Sequence, residues 1–163
     1  MGRSAGALVL ALVVLPAAVR AQQQEGFTVL RGADTIAVEH YTRDTFELAG
    51  SLVRSAGRDA RERVRYRITM LEDGSTPLLE LSTWRAEDSE ETAARQTTRV
   101  IFKDDSVAVD EANVWSGVRT FVLPTTRNPV PYLNLSVAIL EQATRRASLA
   151  LSMLIASTRC SAP

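Results

Sequence analysis

The stretch DTIAVEHYTRD, residues 34 to 44, places Glu39 directly before His40, the only histidine in the chain. A carboxylate beside an imidazole is the raw material of general acid–base chemistry, which needs the two groups within hydrogen-bond reach. The stretch alternates like a β-strand, however, and successive strand side chains point to opposite faces. This pattern groups His40 with Ile36 and Val38 on the apolar side, and Glu39 with Ala37 and Tyr41 on the other. The two side chains diverge, and the pair reads as neighbours that do not meet.

Other chemistries lack their parts. One histidine and one cysteine, Cys160, supply no Cys/His zinc site. A serine triad would need His40 as its base, and no G-x-S-x-G turn presents a nucleophile. Asp34-Thr35 and Asp44-Thr45 are not followed by the glycine of an aspartic-protease loop. Phosphate-loop and dinucleotide-binding glycine patterns are missing, and the acidic run EDSEET, residues 87 to 92, has no EF-hand spacing and reads as a solvated loop. The sequence therefore nominates no catalytic residue, no metal ligand and no cofactor.

The arginine ladder is the one unusual constellation. Arg61, Arg63, Arg65 and Arg67 alternate with Val64, Tyr66, Ile68 and Met70 in RERVRYRITM. On a strand they line one face at intervals of about 6.8 Å, twice the rise per residue. Two uses are open. The ladder is either a face for an anionic ligand or partner, or a solvent face with Glu47 and Glu80 as cross-strand partners worth a few tenths of a kcal/mol each.

The elements that must position these residues are mostly strands. From Phe27 to Val122 the hydrophobic period is two, interrupted at short intervals by turn sequences such as RGAD, SAGRD, EDGSTP and KDDS. Short connections favour antiparallel neighbours, because a parallel crossover needs a dozen or more residues. In TFELAGSLV, Phe46, Leu48 and Leu52 oppose Glu47, Ala49 and Ser51, with Gly50 on the apolar side as the mark of a bend or bulge. Beyond Pro124, Pro129 and Pro131, the stretch YLNLSVAILEQATRRA reads as a helix. Leu133, Val137, Leu140 and Thr144 form its stripe, and Glu141 and Arg145 are placed for an i,i+4 pair.

The ends bear on location. Residues 1–21 combine Arg3, an apolar run and Val19-Arg20-Ala21, the pattern of a secretory signal peptide cut after Ala21. Residues 22–131 are expected to form an antiparallel β-meander, and 132–158 a C-terminal helix. Residues 147–163 are apolar nearly all round; a buried helical continuation and a shifted reading frame both account for them. Removing Arg3 and Arg20 leaves 17 basic against 19 acidic side chains, a balance with no general attraction for nucleic acid. Charged residues around 141–146 interrupt any window long enough to span a bilayer, so no transmembrane segment is expected in the mature chain.

GFTVLRGADTIAVEHYTR, the strands after it and VPYLNLSVAILEQATRRA together resemble exported bacterial proteins of unknown function, in which a β-meander precedes a short helix and further strands. The resemblance covers about residues 26 to 147. It implies a curved antiparallel sheet or partial barrel, with strands normally following the helix, and it carries over no catalytic residues.

The expectation is a mainly β fold: an antiparallel curved sheet or partial barrel of about eight strands with one C-terminal helix. The leading functional expectation is an exported, non-catalytic binding protein of the bacterial envelope, periplasmic or extracellular. It would hold a lipid or other amphiphile between sheet and helix, with Phe46, Leu48, Tyr66, Ile68 and Met70 as walls. The alternative is an interaction module that docks on an envelope protein through a sheet edge or through Arg61, Arg63, Arg65 and Arg67. A hydrolase using His40 stands third.

Overall fold

A computed structural model describes residues 24–57, 60–89, 91–125 and 129–160, with side chains described as far as residue 148. The expected signal peptide therefore lies outside the described residues, as do most side chains of the apolar tail. Eight strands, β1 (Gln24–Arg31), β2 (Asp34–Arg43), β3 (Glu47–Ser55), β4 (Arg61–Thr69), β5 (Leu78–Arg85), β6 (Gln96–Phe102), β7 (Ser106–Asn113) and β8 (Gly117–Pro124), precede one helix, α1 (Val137–Cys160). The strands pair antiparallel in chain order, forming one open sheet with β1 and β8 at its edges. This is the mainly β meander that the two-residue rhythm predicts. Among the described residues no helix is long and apolar enough to cross a membrane.

The core lies on one face of the sheet. Leu48 and Leu52 of β3, Val64, Tyr66 and Ile68 of β4, Met70 and Leu79 form a buried cluster with Leu133, Ala138 and Ile139. Each fully buried aliphatic side chain there contributes roughly 1.5–3 kcal/mol. The arginines of β4 alternate with this set and face the other way.

Three expectations are corrected. First, β2 is turned over relative to the reading of its pattern: Ala37, Glu39 and Tyr41 are buried, whereas His40 is exposed. Ile36 and Val38 are only half-buried. Second, the helical stripe is shifted. Ala138, Ile139 and Gln142 are buried, but Leu140 is 56% exposed and Thr144 is open to solvent. Glu39 and Arg43 hold the start of α1 in an orientation that turns the small Ala138 toward the sheet. Third, Gly50 marks no bulge. Registers β2–β3 and β3–β4 run unbroken through it, and the register shift lies between Val29 and Leu30 of β1.

Gly50 is instead a clearance. The Tyr66 side chain lies across β3 at this point, and a Cβ on residue 50 would sit 2.4 Å from its hydroxyl and 2.8 Å from the His40 carbonyl oxygen. Only a residue without a side chain lets the Tyr66 hydroxyl reach from β4 to Glu39 on β2, at 2.8 Å. Gly50→Ala is expected to destabilise the protein by about 1–3 kcal/mol, the usual cost of overpacking. Urea denaturation monitored by circular dichroism measures this; an unchanged midpoint would mean that the tyrosine has room to move.

Candidate functional site

The two faces of the sheet offer two different sites. On the helix-bearing face the centre is Glu39, 1% exposed. Its Oε1 accepts hydrogen bonds from the Tyr66 hydroxyl at 2.8 Å and the Ser136 hydroxyl at 2.6 Å. Its Oε2 accepts from the backbone N–H groups of Val137 at 2.8 Å and Ala138 at 3.1 Å. Local sequence prepares the helix for this contact. Leu135 adopts a left-handed φ of 66° and turns the chain into Ser136, whose hydroxyl accepts from the Ile139 N–H at 3.2 Å as an N-cap. The first turn of α1 carries no acidic residue. Glu39 supplies the negative charge from the sheet, where the helix dipole favours it.

The surroundings keep this cluster as a clamp. Burial and the Glu39 charge raise the Tyr66 hydroxyl above its ordinary value, so it stays protonated and donates. Tyr41 is likewise raised, by burial and by its hydrogen bond to Glu25, with Glu141 Oε2 at 3.3 Å. Arg43 reaches the Ala138 carbonyl at 3.3 Å and Glu141 at 3.3 Å, and Arg54 donates to the Asn134 carbonyl at 2.8 Å. With four donors already on its carboxylate, Glu39 has no vacant position from which to accept a substrate proton. What this arrangement does chemically is fasten α1 to the sheet.

The five residues expected to wall a ligand space divide accordingly. Leu48, Tyr66, Ile68 and Met70 sit in the buried cluster beneath α1, packed by side chains. Phe46 does not join them. It occupies the turn before β3, where the Asp44 carboxylate accepts from the N–H groups of Phe46 and Glu47 at 2.8 and 2.7 Å, and its ring is 55% exposed.

On the opposite face lies a groove of about 630 Å³ reaching from β3 to β8. Two cross-strand rows build it, and the pairing register states their order. One row runs Ala49, Arg67, Glu80, Arg99 and Asp110. The other runs Arg65, Ser82, Thr97, Ala112 and Val118. Small residues in the second row leave the depression, and long charged residues in the first stand beside it. His40 and Ser51 precede Arg65 in the second row, so the lone histidine belongs to the groove's face but not to its lining.

The arginine ladder is brought together here and put to unequal use. The Arg63 and Arg65 guanidinium groups lie over the buried Trp84 ring, 5.5 and 5.4 Å from its centroid. Arg63 also donates to the Asp88 carbonyl at 3.1 Å. Arg67 pairs with Glu47 at 3.3 Å, as the cross-strand reading expects, with both side chains largely in solvent. Arg61 is exposed at the start of β4. Glu80, the other expected partner, makes no ion pair among the described residues. Sequence reasoning missed Arg99, although TTRVIF carries the alternation that places it on this face. Among the described residues no group of three or more His, Cys, Asp or Glu is placed to hold a metal ion.

No family model matches the chain, and no curated protein or solved structure is detectably similar to it. The class the fold defines is an open eight-stranded antiparallel meander clamped to one helix.

Two outcomes test the clamp. Glu39→Gln turns an amide NH₂ toward two of the four donors and is expected to destabilise the protein by about 2–3 kcal/mol, read from urea denaturation. Equal stability would show that α1 is held elsewhere. Burial pushes the Glu141 carboxyl up, but hydrogen bonds and charge from Arg145 and Arg43 outweigh it and hold the group below its ordinary 4.5. A depressed folded value means the stabilisation is present above 4.5 and is lost as pH falls through the lower folded value. Glu141→Gln is expected to flatten the acid limb of a melting-temperature profile below about pH 4.5; a limb of unchanged slope would assign acid sensitivity to other carboxylates.

Proposed function

We propose that this chain is a non-catalytic binding protein exported to the bacterial envelope, of the kind that the exported β-meander proteins of unknown function represent, and that it holds an amphiphilic ligand. The groove, rather than the space between sheet and helix, is where the ligand is carried. The observation behind this reading is the groove's chemical gradient. Arg65, Arg67 and Arg99 stand on its β4–β6 side, while Ala112 and Val118 form its β7–β8 side, with Val118 76% exposed. A volume of about 630 Å³ falls within the range of small-molecule sites. The helix-bearing face supports the same choice, because Leu48, Tyr66, Ile68 and Met70 are already buried there in one cluster with Ala138 and Ile139 of α1.

A second reading rests on β8. This strand is a sheet edge, all eight of its residues are exposed, and Phe121, Val122 and Leu123 are among them. An extended segment of an envelope protein would add to such an edge through backbone hydrogen bonds. Export itself rests on the N-terminal pattern of Arg3, the apolar run and Ala21.

Mass spectrometry of an organic extract from gently purified full-length protein is expected to reveal a co-purified amphiphile. The Arg99→Glu variant is expected to lose most of it while melting at the same temperature. A clean extract from folded protein, repeated across preparations, would remove the amphiphile from this reading. Full retention by Arg99→Glu would move the site away from the groove.

A further inference from the structure

The groove's charged row has an order that specifies more than an amphiphile. Arg67, Glu80, Arg99 and Asp110 come from four successive strands and alternate in sign. Neighbouring positions in such a row are about 4.8 Å apart, the spacing of strands in a sheet. Cross-strand neighbours of opposite charge ordinarily satisfy one another. Here Glu80 and Arg99 face each other in the register, yet neither side chain makes an ion pair or hydrogen bond among the described residues. The Asp110 carboxylate accepts only from the Thr120 hydroxyl, at 2.9 Å, and Arg67 turns away to Glu47. The central cation and its two flanking carboxylates are thus left facing the groove.

We infer that the ligand's head is zwitterionic: a phosphate ester joined to a primary amine by a short linker, attached to apolar chains. This inference rests on the groove reading above. The phosphate lies against Arg99, whose guanidinium makes no ion pair or hydrogen bond among the described residues. The ammonium lies one strand away against Glu80 or Asp110. Apolar chains leave over Ala112 and Val118 and continue toward the exposed Val122 on the same face of β8. A purely anionic head is disfavoured here, because it would face Glu80 and Asp110 on both sides of the arginine. Carboxylates beside a cation exclude such a ligand as effectively as they attract an amine.

Isothermal titration of the full chain with three probes tests this: a short-chain phosphoethanolamine lipid below its micelle concentration, the matching phosphatidic acid, and phosphoethanolamine alone. The zwitterionic lipid is expected to bind about tenfold or more tightly than the phosphatidic acid, the worth of one charge-assisted hydrogen bond. Glu80→Gln combined with Asp110→Asn is expected to erase that preference, and Arg99→Ala to weaken both lipids by about tenfold. All three positions are on the groove face and outside the buried cluster, and circular dichroism checks that the variants fold. Phosphatidic acid binding as tightly as the zwitterionic lipid would overturn the zwitterion and leave the groove reading standing. Preference surviving in the double variant would overturn the roles of Glu80 and Asp110. Phosphoethanolamine alone matching the lipid would overturn the amphiphile, and no binding of any probe would overturn the groove reading with it.

Discussion

A carboxylate removed from water is unstable unless several donors replace its hydration shell, and Glu39 meets that condition through groups from three separate elements. Tyr66 comes from β4, Ser136 from the turn before α1, and the backbone N–H groups of Val137 and Ala138 from the helix itself. Remove any of these elements and the charge is left under-solvated; remove the charge and the helix start loses its anion. The interaction is long-range in sequence, joining residue 39 to residues near 137. It couples the formation of α1 to a completed sheet, because β2 and β4 must flank β3 before the Tyr66 hydroxyl arrives. Gly50 belongs to the same requirement, as the gap over which that tyrosine crosses.

Fastening α1 to one face decides what remains available on the other. Leu48, Ile68 and their neighbours are buried in one cluster with Leu133 and with Ala138 and Ile139 of the helix. The opposite face keeps the arginines of β4, with Arg63 and Arg65 packed along Trp84 and the Arg99 side chain making no ion pair or hydrogen bond among the described residues. Guanidinium groups over an indole ring gain a modest cation–π attraction and are held in place by it. The small residues Ser82, Thr97 and Ala112 lie between such long neighbours, and the difference in side-chain length makes the groove. The groove is thus a by-product of register: had β5 slipped by one residue, Leu79 and Leu81 would face this side instead.

Strand count, antiparallel order and the face of β4 are legible in the sequence, because a two-residue rhythm with charges on every second position admits one arrangement. RERVRYRITM could only bury Val64, Tyr66, Ile68 and Met70. The face of β2 was not legible. Ile36 and Val38 are more apolar than Ala37 and Glu39, so the pattern pointed the wrong way. The inversion follows from Glu39: a carboxylate with four donors is cheaper to bury than its charge suggests, and none of those donors is near it in sequence. The stripe of α1 was misread for a related reason, since the anchor that sets its rotation lies on β2. The groove was half legible, through the arginine ladder; Arg99 and Glu80 became part of it only by pairing across strands.

By itself, the order of residues determined the local rules: period-two strands, short turns that force antiparallel neighbours, and a helix following the proline-rich stretch. These depend on contacts within a few positions, which a sequence displays directly. The tertiary structure alone decided that Glu39 points inward and caps a helix, that Gly50 is a passage for Tyr66, and that two rows of side chains enclose a groove. Each of those outcomes is an energy of encounter between groups far apart in the chain, and such an energy exists only once the strands have taken their register.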